Sequence, residues 1–165
     1  MRVTIGNGTP ETESAPLPAF TRARVLIVAS KTADSDQLID AVARRASEGA
    51  CSFTLMVPAD ARRLRPAGVP VTYGHPEAER RLSAALPLLS QAAGAEVVGI
   101  VGSYEPYIAV KDALKLLGFD EVIVSMLPAQ ASRWQRDDLP QKIRSLGVAV
   151  IEVVVDPDFQ PVPAA

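Results

Sequence analysis

The sequence predicts an α/β protein built on an open, doubly wound parallel sheet of five strands with helices on both faces. Two observations predict it. Short, mostly continuous apolar runs alternate strictly with longer segments of helical spacing. The chain has 165 residues, 48% of them apolar, which suits one domain with one sizeable core.

The first apolar run, residues 23–30 (ARVLIVAS), reads as a strand covered on both faces. After it, residues 34–48 carry Leu38, Ile39, Val42 and Ala46 on one stripe, with Asp34 and Gln37 as a capping pair at the start. The second strand is predicted at residues 52–57 (SFTLMV). A second helix follows at 76–93, with Leu82, Leu86, Leu89 and Ala93 on one side and Pro87 expected to kink or split it. Residues 96–102 (EVVGIVG) form the third strand. The third helix, 106–117, opens on Pro106, suited to a first turn, and closes at Gly118, suited to a left-handed cap. Residues 121–125 (EVIVS) give the fourth strand. The fourth helix, 139–146, follows Asp137 and Asp138, read as its cap, and stops at Gly147. The closing strand runs from Val148 to Val155 (VAVIEVVV).

Outside this unit, residues 1–21 are rich in Thr, Glu, Pro, Ser and Gly and read as a disordered leader. Residues 156–165, with Pro157, Pro161 and Pro163, read as a loose tail, which leaves 22–155 as the folded domain. Lys plus Arg number 17 against 19 for Asp plus Glu, and no long basic run is present, so a nucleic acid is not the expected partner. No apolar stretch has the length of a membrane span. Cys51 is the only cysteine, which rules out an internal disulfide and fits a cytoplasmic protein with a core thiol. A Walker-type loop, a Gly-x-Ser-x-Gly elbow and a metal-spaced cluster of His and Cys are absent from the sequence.

The stretch 98–153 resembles the C-terminal half of universal stress protein domains. Their order of strand, Gly-Asp-Pro-like turn, helix, strand led by Ala-Asp, glycine loop, helix and closing strand is matched by Val101-Gly102-Ser103-Tyr104-Glu105-Pro106, then Phe119-Asp120-Glu121-Val122-Ile123-Val124, then Gly147-Val148-Ala149-Val150-Ile151-Glu152-Val153. The likeness continues more weakly through the first half. It implies the strand order 3-2-1-4-5, where alternation by itself permits other doubly wound orders. It also implies a homodimer formed through the closing strand, which as a long apolar edge needs cover. The ATP-binding members share a Gly-x2-Gly-x9-Gly-Ser/Thr pattern after the fourth strand. Set here without a gap, that pattern falls on Ser125, Pro128, Asp138 and Leu139, and none fits. Glycine serves such a loop because the backbone must approach a phosphate and take positive φ. Pro128 has no N–H to offer, and Asp138 adds negative charge where its carboxylate can occupy the helix-start N–H groups. No bound cofactor is expected, and ATP held in the family's usual way is disfavoured.

With that strand order, ligands bind at the carboxyl ends of the first and fourth strands, where residues 30–34 and 125–138 meet. The candidate binding residues are Ser30, Thr32, Ser103, Ser125, Ser132, Arg133 and Trp134. Arg133 offers a planar fork for an anion and Trp134 a flat face, although Trp134 also suits simple closure of the sheet end. The connection 58–75, with Arg62, Arg63 and Arg65, is long enough for a lid or partner surface. His75, the only histidine, reads as a turn residue before a helix. No catalytic residue is assigned. The favoured reading is a regulatory, stress-response domain without catalytic activity that binds a small anionic ligand or none. The alternative is a flavodoxin-like cofactor carrier or small-molecule enzyme that uses the Ser-x-Thr-x-x-Ser spacing of Ser30, Thr32 and Ser35 as a phosphate loop.

Overall fold

The computed structural model describes residues 22–59, 75–128, 134 and 137–156. Within them the elements run β1 (Ala23–Val28), α1 (Asp36–Ser47), β2 (Cys51–Pro58), α2 (His75–Ala93), β3 (Val98–Gly102), α3 (Pro106–Leu116), β4 (Glu121–Met126), α4 (Leu139–Arg144) and β5 (Ala149–Val154). The strands form one sheet in the order β3-β2-β1-β4-β5, every pairing parallel. This is the 3-2-1-4-5 order. β1 therefore lies at the centre, with Ile27 beside Leu55 on one side and Ile123 on the other.

Strand alternation divides the core into two layers. Val25, Ile27, Phe53, Leu55, Val57 and Ile123 face one way and are covered by Leu38 and Val42 of α1 and by Ala78, Leu82, Ala85 and Leu89 of α2. Leu26, Val28, Met56, Val122, Val124 and Met126 face the other way, under Ala109, Val110 and Ala113 of α3 and Leu139 and Ile143 of α4. The central strand is apolar on both faces because both are covered. Val25, Leu26, Ile27 and Val28 are each 0% exposed, and each stabilises the fold by about 1.5–3 kcal/mol through burial. Gly102 is required by packing, since a Cβ there would lie 2.8 Å from the Ala109 Cβ and 2.9 Å from the Met56 sulfur.

Several local expectations are corrected. α1 begins at Asp36, and its cap is Ser35 rather than Asp34: Ser35 is extended at φ −74°, ψ 148° and accepts a hydrogen bond from the Leu38 N–H. α2 is continuous across Pro87, which is exposed, so the helix is not split there. Its inner face, held by Leu82, Ala85 and Leu89, outweighs the lost backbone bond. Asp138 stands at the start of α4 but is left-handed, φ 54°, ψ 48°, and its carboxylate accepts no capping hydrogen bond. The predicted acidic cap is therefore absent at Asp138. α3 ends as predicted, with Gly118 at φ 75° donating its N–H to the Ala113 and Leu114 carbonyls.

At the amino end of the sheet a clasp joins β1 to the turn before β4. The Arg24 N–H donates to the Asp120 carboxylate at 2.8 Å, the Asp120 N–H returns to the Arg24 carbonyl at 2.8 Å, and the Arg24 guanidinium donates to the Leu117 carbonyl. That guanidinium also lies over the Phe119 ring, 5.2 Å from its centroid. Nearby, Arg45 from the last turn of α1 binds Glu121 through Nε at 2.9 Å and Nη2 at 2.6 Å. The hydrogen bonds to Glu121 hold the Arg45 pKa above its ordinary value.

Candidate functional site

β1 and β4 are adjacent, yet the chain covers one face of the sheet after β1 and the other after β3, so the winding reverses between them. In sheets wound this way, the carboxyl ends of the strands that flank the reversal are where ligands generally bind. Ser125 shares the α1-facing side of β4 with Ile123, and Thr32 comes down onto it from the loop after β1. Their hydroxyls are 2.7 Å apart, with Thr32 5% and Ser125 1% exposed. Two residues separated by 93 positions thus tie the loop after β1 to the carboxyl end of β4.

The rest of the loop after β1 closes on itself. The Ala33 N–H donates to the Ser30 carbonyl and the Ser35 N–H to the Thr32 carbonyl, at 3.1 and 3.0 Å. The Ser35 hydroxyl is committed to α1. Ser30 is half-buried, and its hydroxyl accepts from Nη1 of Arg81, 3.0 Å away on α2. Sequence reasoning missed Arg81. Its spacing from Glu77 marks a helical charge pair, but nothing local in sequence points it at the end of β1.

The other predicted residues disperse. Ser103 is exposed, and its hydroxyl donates to the Glu105 carbonyl at 3.3 Å within the turn before α3. Trp134 is half-buried against the α3 and α4 layer, on the face of the sheet opposite the one to which Ser125 points. It lines a small cavity of about 30 Å³ with Tyr107, Glu105, Asp137 and Lys142, room for a water or two. Ser132 and Arg133, like the arginines of the 58–75 connection, the leader and most of the tail, lie outside the described residues. Among the described residues no group of His, Cys, Asp and Glu could hold a metal ion, and no helix is long and apolar enough to cross a membrane.

α4 begins where the family's glycine pattern falls on Asp138 and Leu139. Pro140 stands in the first turn and Pro128 follows β4, so two backbone donors are missing, and the exposed Asp138 contributes negative charge. Cys51 is far from this end, at the amino terminus of β2. Burial pushes its thiol above the ordinary cysteine range, with the charge of Arg45 opposing.

The sheet order and the winding reversal define a doubly wound, Rossmann-like α/β fold. More specifically, the chain has the fold of the universal stress proteins. It superposes on the universal stress protein of Archaeoglobus fulgidus with a TM-score of 0.58 at 15% identity, over 83% of this chain and 97% of that one. A protein of the universal stress protein family from Burkholderia pseudomallei matches with a TM-score of 0.59 at 12% identity, over 81% and 96% of the two chains. The Archaeoglobus fulgidus protein in complex with dAMP gives a TM-score of 0.56 at 17% identity, over 81% and 98%. No protein-family model and no curated protein sequence matches the chain. At these identities the likeness is one of fold, and it bears out the architecture expected from residues 98–153.

Proposed function

We propose that this chain is a regulatory domain of the universal stress protein kind, divergent in its nucleotide loop, whose crevice between β1 and β4 takes a small anionic ligand and does not hold ATP through a glycine loop. The observation that carries this reading is the buried Thr32–Ser125 hydroxyl pair at the winding reversal, beside a guanidinium and an α4 start poor in donors. A structural neighbour in complex with dAMP supports a small, singly phosphorylated ligand over a triphosphate.

A regulatory role is supported by the same hydroxyls, which bond to each other and, among the described residues, are aligned with no general base. The phosphate-loop alternative loses support, because the Ser35 hydroxyl and the amides of Ala33 and Ser35 are already engaged within the loop and its helix. A homodimer through β5 is part of the proposal. Among the described residues β5 pairs only with β4, and Ile151 and Val154 on it are 39% and 44% exposed. A cytoplasmic site of action accords with the single thiol.

The test is to denature the purified full-length chain, identify any small molecule released, and titrate the protein calorimetrically with ATP and AMP. AMP binding with ATP weaker or silent is the expected result. Stoichiometric release of ATP would overturn the reading, and release of a flavin would reinstate the cofactor carrier.

A further inference from the structure

Arg81 occupies an unusual place for a helix-face cation. Its side chain is 21% exposed, and among the described residues its one hydrogen bond is the donation to Ser30. The nearest carboxylate, Glu77, stands 3.4 Å from Nε and is bound more closely by Arg80, at 2.6 Å. A guanidinium presents five N–H donors in a flat fork. Among the described residues most of this one's donors have no hydrogen-bond acceptor, at the carboxyl end of the central strand. Ser30 Oγ accepts from the guanidinium, so its own proton is directed elsewhere, and a hydroxyl polarised in this way is a better donor.

Resting on the crevice reading above, we propose that Arg81 and Ser30 form an anion seat that receives one oxyanion group, a phosphomonoester or a carboxylate, of the small ligand. The guanidinium fork meets two of the oxyanion's oxygens and the Ser30 hydroxyl donates to one of them. The seat lies on the α2 side of the crevice, away from the donor-poor start of α4. It gives the molecule a hold on an anion that does not depend on glycines.

The test compares AMP, adenosine and succinate as calorimetric probes of the full-length protein, wild type and R81Q, with R80Q as the control on the exposed neighbour. AMP binding about 10- to 100-fold tighter than adenosine is expected in the wild type, with the preference lost in R81Q, partly restored in R81K and unchanged in R80Q. Succinate bound in an Arg81-dependent way, with AMP and adenosine equal, assigns the seat to a carboxylate. S30A, which removes only a hydroxyl, reports the same preference if R81Q does not fold, and is expected to weaken it about 3- to 10-fold. Adenosine and AMP bound equally, with succinate silent, would sink the seat while leaving the crevice standing. A protein that binds none of the three overturns both. An anion preference that survives R81Q overturns the seat alone.

Discussion

At the scale of single residues, the Thr32–Ser125 pair fastens the loop after β1 to the end of β4. Removing one hydroxyl leaves the other buried without its partner, which costs about 1–3 kcal/mol, whereas removing both leaves nothing unsatisfied. In a double-mutant cycle by equilibrium urea unfolding, Thr32→Val with Ser125→Ala should therefore cost less than the sum of the single changes. Strict additivity would mean that each hydroxyl works through some other contact. Cys51 behaves oppositely to a reactive thiol: burial raises its pKa, so the thiolate is scarcer at a given pH, and alkylation between pH 7 and 8.5 should run slower than for a free cysteine. At this scale the sequence was partly legible. Ser125 and Thr32 stood out because each follows an apolar run at a strand's carboxyl end. Arg81 did not, because a helix seen in sequence does not reveal which neighbouring strand end its polar face overhangs.

At the scale of elements, α2 carries the clearest internal conflict. Pro87 lies within it, exposed, and removes one backbone hydrogen bond that the inner face of the helix must outweigh. Pro87→Ala is expected to stabilise the domain by about 1–3 kcal/mol, read as a higher urea midpoint. A lower midpoint would show that the ring itself is packed. Gly118→Ala, by contrast, forces a side chain into φ 75° and should cost about 1–2 kcal/mol in the same measurement. Helix existence was readable from apolar spacing, but the starts of α1 and α4 were not. Asp34 and Ser35 are both good caps, and only the backbone angles choose Ser35. At α4 the left-handed turn of Asp138 withdraws a carboxylate that composition alone would assign to the cap.

At the scale of the whole molecule, the layered architecture was legible because burying β1 on both faces leaves a continuous apolar run that only a doubly covered strand needs. Strand order was not written in the alternation and entered through resemblance, which the parallel ladder β3-β2-β1-β4-β5 bears out. Sedimentation of the full-length chain is expected to give a dimer, and placing lysines at Ile151 and Val154 together should yield a monomer by charging the exposed edge of β5. A wild-type monomer at tens of micromolar would remove the dimer from the proposal. The clasp of Arg24, Asp120, Leu117 and Phe119, together with Arg45 and Glu121, knots one pole of the sheet, while the proposed binding groups lie at the other. Substitutions among the proposed binding groups are therefore expected to leave this distant knot, and the frame it fastens, intact.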